Sequence, residues 1–252
     1  MPIETSRRLT GRVRTAVANQ RLGVALAFIA GATNAGAFLA VQQYTSHMTG
    51  MVSSMADSLV LGDLPLAASA FGALLSFLAG AAASAILVNL AKRRGLKSQF
   101  ALPLLLEAAL LLLFGLIGAW LATIRGLFVP MTVMLLCFIM GLQNALITKI
   151  SRAEIRTTHV TGLVTDIGIE LGKLFYWNRL QQDPALHVAA DRERLQVLSL
   201  LVLGFFVGGI LGAIGFQRIG YATTLPLAGL LVAMAAVPAV DDLREYLART
   251  PP

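Results

Sequence analysis

The 252-residue chain has one cysteine, three histidines and only 13% charged residues, about half the charge of an ordinary soluble domain. Each scarcity removes a class of protein. Cys137 alone excludes an intrachain disulfide, and its place inside an apolar run makes it a small packing residue. Three histidines without a matching cysteine or carboxylate pattern provide no metal site. No phosphate-binding glycine loop, dinucleotide fingerprint or nucleophile elbow is legible either, so no cofactor is expected and the chain does not read as an enzyme.

What is abundant is apolar. Hydrophobic residues make up 57% of the chain, mean hydropathy is +0.76, and several runs approach or exceed the ~20 residues that a bilayer-crossing helix needs. An integral membrane protein follows, with the lipid bilayer as its first partner. A formal net charge of +7 and a pI near 10.2 resemble those of a nucleic-acid binder. The basic residues, however, lie between the apolar runs, where membrane topology accounts for them and no nucleic acid is needed.

Six spans are expected: Leu22 to Val41, Leu66 to Ala91, Phe100 to Thr123, Phe128 to Lys149, Leu195 to Phe216 and Tyr221 to Val240. Arginine and lysine are unevenly divided among the connections. Arg7, Arg8, Arg12, Arg14 and Arg21 precede the first span, "KRRGLK" follows the second, seven basic residues run from Lys149 to Arg194, and Arg244 and Arg249 follow the sixth. The alternate connections hold only Arg125 and Arg218. By the positive-inside rule both termini are cytoplasmic. The basic start followed by "LGVALAFIAGA" has the layout of a secretory signal, but this segment has a twin later in the chain, which implies a retained helix.

That twin belongs to an internal repeat. "GATNAGAF" from Gly31 aligns with "GLQNALIT" from Gly141, pairing Asn34 with Asn144. With two residues inserted, "TSHMTGMVSS" then aligns with "TTHVTGLVTD", pairing His47 with His159. "FLAGAAASA" from Phe77 resembles "FFVGGILGA" from Phe205, and "LPL" recurs at Leu102 and Leu225. Each half is therefore three spans plus a short polar helix. Thr49 to Leu61 would cover only about 20 Å, against the ~30 Å of a full span, so it reads as a re-entrant or interfacial half-helix. Because three is odd, the second copy enters the membrane from the other side.

The expected fold is thus an all-α integral membrane protein with six transmembrane helices arranged as two inverted three-helix repeats. Residues 1–21 form a basic cytoplasmic segment, 22–124 the first repeat, 125–241 the second and 242–252 a cytoplasmic tail. Such repeats commonly enclose a midplane site built from broken helices; duplication can also simply produce a stable bundle.

The repeated polar residues are the candidate site. Thr49 and Thr161 are placed to cap the helices that follow them, and Gly50 and Gly162 would let a backbone or a solute come close. The free N–H groups of those first turns carry partial positive charge and suit a small polar or anionic solute. His47 and His159 could exchange protons or donate to that solute, or serve in hydrogen bonding of the cap region. Asn34 and Asn144, with Thr33 and Gln143 beside them, would line a pocket or bond neighbouring helices. Glu107 is the one carboxylate in an otherwise apolar span, at a cost of ~3 kcal/mol on insertion scales. It and Asp166 are the candidates for proton coupling. Asp57, Asp166 and Glu170 fall on the short helices at positions that do not correspond. Small residues four apart, such as Gly80 with Ser84 and Gly208 with Gly212, predict close helix packing, either within the bundle or across a homodimer. Leu174 to Arg194, with Tyr176 and Trp177, reads as an interfacial stretch.

"TSHMTG" with its polar half-helix, and "MGLQNALITKISRAEIRTTHVTGLVTDIG", resemble the signatures of the YoaK family of bacterial inner-membrane proteins, a domain of unknown function. The resemblance covers roughly Arg21 to Val240. It implies a six-helix protein of the bacterial inner membrane and supplies no substrate. The residues themselves point to a secondary transporter or channel-like protein. A non-transporting oligomeric scaffold or regulator is the alternative, and a membrane-embedded enzyme a more distant one.

Overall fold

The computed structural model describes residues 16–96, 98–121, 125–150, 160–176 and 188–249. Among these the chain is helical: α1 (Ala16–Val41), α2 (Met48–Leu61), α3 (Leu64–Arg93), α4 (Ala101–Leu121), α5 (Arg125–Ile150), α6 (Val160–Leu174), α7 (Arg192–Ile219), a 3-10 turn (Gly220–Thr223) and α8 (Thr224–Arg249). The long helices overlap the stretches read from hydropathy, but α1 begins at Ala16 rather than Leu22 and α8 runs on to Arg249 rather than ending at Val240. Local chemistry sets several of their ends. Gly62 closes α2 at φ 77°, where a side chain would be strained. Asp63 then caps α3 by accepting from the Leu66 amide at 3.1 Å, and Asp191 caps α7 by accepting from the Arg194 amide at 3.0 Å.

Among the described residues five stretches are long and apolar enough to cross a membrane: Val17–Val41, Leu64–Arg93, Ala101–Trp120, Val129–Lys149 and Arg192–Val240. The last, of 49 residues, is divided by Gly220 at φ 60° and ψ −142° into α7 and α8. The protein is a multi-pass membrane protein of helices alone among the described residues.

The helices pair across the chain rather than along it. α1 packs along α7, α3 along α5 and α4 along α8, while α2 lies on α3 and α6 on α7. The contact between α1 and α5 is smaller. Glycine explains the first two pairings. A Cβ on Gly31 would strike the Phe205 carbonyl, and one on Gly208 would strike the Phe28 carbonyl. Likewise a Cβ on Gly141 would strike the Phe77 carbonyl, and one on Gly80 the Phe138 carbonyl. Four Phe-x-x-Gly segments, at Phe28, Phe77, Phe138 and Phe205, thus interlock two by two. Hydrocarbon offers no hydrophobic drive between helices, so close backbone approach, with its dispersion and weak Cα–H···O contacts, holds each pair. Ser76 adds a hydrogen bond from α3 to the Met134 carbonyl of α5 at 2.6 Å. The small-residue faces foreseen for tight packing are therefore occupied inside the chain.

One apolar core runs through the centre, with Leu22, Leu26 and Ile29 of α1, Leu104, Leu111 and Phe114 of α4, Ile139, Met140 and Leu146 of α5, and Leu231 of α8. The outward faces of α3 and α7 are apolar too: Leu75, Leu78 and Ile86 on one, Leu203, Phe206, Ile210 and Ile214 on the other, all exposed. A surface of that extent suits lipid, not water.

Candidate functional site

The first polar hexapeptide is positioned by a reversal of the chain. Gln42 adopts φ 57°, a left-handed conformation unusual for a residue with a side chain. Its amide and its Nε2 both donate to the Phe38 carbonyl, at 2.9 Å and 3.0 Å. Tyr44 then stacks on the Phe38 ring, with centroids 4.7 Å apart, and the Ser46 hydroxyl donates to Asn34 Oδ1 at 3.0 Å. The chain has retraced about two turns of α1, roughly 10 Å, before α2 begins.

Sequence reasoning placed Thr49 as the cap of α2, and the structure corrects this. The N-cap residue is His47, at φ −94° and ψ 73°, without a side-chain capping bond, and Thr49 is already the second residue of the helix, with its side chain exposed. The ring of His47 lies over the first turn: a Cβ on Gly50 would sit 2.7 Å from His47 Nδ1. The spacing His-x-x-Gly makes room for the imidazole. In the second copy, Thr161 is likewise inside α6, exposed, and its carbonyl accepts from the Thr165 hydroxyl at 2.8 Å. Gly162 is half-buried beside it. His159 and Trp177 lie outside the described residues.

Asn34 and Gln143, one residue from Asn144, are buried; Asn34 ties α1 to the chain that directly follows it, and Gln143 ties α1 to the distant α5. Gln143 Nε2 donates to the Leu26 carbonyl at 3.0 Å, while its buried Oε1 has no partner among the described residues. That bond sets the level of α5 against α1: Gln143 stands beside Leu26, and Asn34 is eight residues further along, roughly 12 Å. Asn34 and Asn144 are thus not side by side. Ile29, Ala30, Ile139 and Met140, all with no exposed surface, fill the region between those levels. Asn144 is half-buried, and its carbonyl accepts from the Thr148 hydroxyl at 2.7 Å. Thr33 and Thr45 are buried, with hydroxyls that have no partner among the described residues. Ser46 and Thr45 escaped notice in the sequence because their role depends on the reversal at Gln42, which no glycine announces.

Glu107 is fully buried in α4, and among the described residues no hydrogen-bond partner reaches either of its oxygens. Leu104, Ala108 and Leu111 around it belong to the central core. Buried polar atoms are nearly always paired, and an acid inside an apolar span is costly, so this carboxyl stands apart from the apolar side chains around it. Asp166 is placed differently, paired with Arg194 at 3.1 Å on the α6–α7 contact. Its neighbour Glu170 is buried there, accepting from Lys173 Nζ at 2.8 Å and from the Asp191 amide at 2.9 Å. These two donors, with the Arg194 charge, hold the Glu170 carboxyl below its ordinary pKa. Among the described residues no three His, Cys, Asp or Glu side chains gather to hold a metal ion.

No curated protein and no solved structure matches the chain. A family model described as "Protein of unknown function (DUF1275)" matches residues 22–237. That match covers nearly the whole helical region, and the chain belongs to this family, which is the YoaK family.

Proposed function

We propose that this protein is a secondary transporter or channel-like protein for a small polar or anionic solute, with six spans arranged as two inverted three-helix repeats in a bacterial inner membrane and both termini in the cytoplasm. The observation that carries the reading is the reciprocal interlock of the Phe-x-x-Gly segments. Under the sequence alignment, Phe28 and Gly31 correspond to Phe138 and Gly141, and Phe77 and Gly80 to Phe205 and Gly208. The contact of α1 with α7 is therefore the repeat image of that of α5 with α3. Two copies related in this way, each with a short helix after its first long one, are the plan on which many transporters are built. The 49-residue stretch from Arg192 to Val240 would measure roughly 74 Å as one helix, more than twice the bilayer core, which supports two spans there.

Solute binding falls to the first turns of α2 and α6, at Thr49, Gly50, Thr161 and Gly162, where unpaired N–H groups favour negative charge. His47 and His159 flank those turns, and Asn34 and Asn144 line the approach from α1 and α5. Glu107 is the proton-coupling residue. Asp166 is already engaged by Arg194, which leaves it the weaker candidate. No catalytic chemistry is assigned. Purified protein in liposomes, screened with small anions and organic acids, should give flux that Thr49→Val or Thr161→Val abolishes. No flux and no binding for any of them would sink the reading.

One observation favours the second reading, a non-transporting scaffold. Asn34 is bonded to Ser46, and an apolar layer lies between the levels of Asn34 and Asn144. A homodimer formed through faces other than the occupied small-residue ones would suit that role, and cross-linking in native membranes tests it.

A further inference from the structure

At the end of the bundle away from Lys92, Arg93 and Lys149, three aromatic rings close on one another. Phe114 of α4 meets Tyr221 of the 3-10 turn edge-on, with centroids 5.6 Å apart and planes at 87°. Phe216, near the end of α7, lies 6.0 Å from Phe114 and 6.4 Å from Tyr221, at 81° to the latter. Such tilted and edge-on pairs contribute beyond the area they bury. Phe114 is fully buried.

Two of the rings are seated in glycine sockets. A Cβ on Gly36 of α1 would fall on the Phe216 ring, and one on Gly118 of α4 would fall on the Tyr221 ring. The cluster thus spans α1, α4, α7 and the turn that joins α7 to α8. Along α4, Glu107, Leu111 and Phe114 succeed one another at four- and three-residue spacing on one face, all of them buried. The rings therefore stand two turns, roughly 10 Å, from the orphaned carboxyl.

Duplication does not account for this cluster. The repeat carries Phe216 onto Val88, Phe114 onto Val237, Tyr221 onto Ser98 and Gly36 onto Leu146. The basic end of the bundle has no ring at any of these places. An otherwise symmetric plan carries an aromatic cluster at one end, two turns of α4 from the buried Glu107.

We propose that Phe114, Phe216 and Tyr221 form a gate that closes Glu107 off from the Tyr221 end of the protein. The inference rests on the transporter reading above and adds the device by which one side is shut. Phe216 is seated in α1, along which α7 packs, and Tyr221 is seated in α4. The parting line runs between Phe216 on one side and the Phe114–Tyr221 pair on the other. Opening lifts Phe216 away with α1 and α7 and exposes the Leu111 and Glu107 face of α4.

The test reads solvent access and needs no solute. Leu111→Cys, in a Cys137→Ala background, is reconstituted in vesicles and treated with a membrane-impermeant thiol reagent from either side. Trp120→Cys, exposed near the Tyr221 end, reports which side is which. Adding Phe216→Ala should raise the labelling rate from the Tyr221 side at least about tenfold, since the lost ring leaves a cavity and a more populated opening. Phe216→Tyr should keep the rate low, and Val88→Ala should leave it unchanged. If Phe216→Ala does not fold, Phe216→Leu, which keeps apolar volume without a ring, carries the same expectation. Equal labelling with the ring present or absent overturns the gate, as does an equal rise from both sides. A gated labelling response in a protein that moves no solute would keep the gate and remove the transport reading. Flux with unchanged labelling would do the reverse.

Discussion

The backbone of Gly31 lies directly against the carbonyl of Phe205, with no room for a methyl group between α1 and α7. Gly31→Ala must push the two helices apart, and overpacking of this kind costs about 1–3 kcal/mol. Gly141→Ala, against Phe77, should cost a similar amount if the two contacts are images of one another. Gly168, with open space around it, is the control: Gly168→Ala should stabilise α6 by roughly 0.5–1 kcal/mol through helix propensity. Unfolding in detergent across the three variants checks the order.

Glu107 has no hydrogen-bond partner to lose among the described residues. Glu107→Gln should leave the unfolding midpoint within a degree or two of the parent, as expected for a change near 0.5 kcal/mol in a protein of this size. It should abolish any dependence of solute uptake on a proton gradient. Uptake that still follows the gradient in this variant would remove Glu107 from coupling.

The Ser46 hydroxyl holds the descending chain to Asn34. Ser46→Ala removes about 1 kcal/mol and leaves Asn34 Oδ1 without its donor. Hydrogen exchange at the start of α2 should accelerate by roughly fivefold to tenfold for that loss. Asn34→Ala should reproduce the effect, whereas Thr49→Val, on an exposed residue, should not.

Acid should loosen α6 before the bundle. The Glu170 carboxyl is held below its ordinary value of 4.5 in the folded protein. Its contribution is therefore complete above the unfolded-state pKa and is lost as pH falls through the lower folded value. Amide exchange in α6 and at Asp191 should rise as pH drops below about 4.5, after correction for the intrinsic rate. Glu170→Gln should flatten that rise.

Much of this was readable in residues, and the exceptions have physical causes. Hydropathy located the long helices because a bilayer demands about 20 apolar residues wherever one crosses it. The doubled hexapeptide located the starts of α2 and α6, since it supplies the break each needs. Glu107 stood out because an acid in "LPLLLEAALLLLF" has nothing nearby in sequence to pair with, and none of the described residues supplies a partner either. The cap was misassigned because threonine is the stronger statistical choice, whereas His47 lies one residue outside the helix and Thr49 inside it. The Phe-x-x-Gly interlock could not be read in advance, because which carbonyl a glycine will meet depends on a helix far along the chain. The aromatic cluster was hidden likewise: Phe114, Phe216 and Tyr221 come from three different elements.

The interlock also fixes a timetable. Gly80 and Phe138 are 58 residues apart (138 − 80), so α3 and α5 can pair while the chain is still being made. Gly31 and Phe205 are 174 apart (205 − 31), and at 5–20 residues per second α1 waits roughly 9–35 s in the bilayer for α7 to be synthesised. During that interval its glycine face lacks the backbone it packs against. The α3–α5 contact can therefore form early and the α1–α7 contact only late, and α7 must be inserted before the glycine face of α1 has its partner.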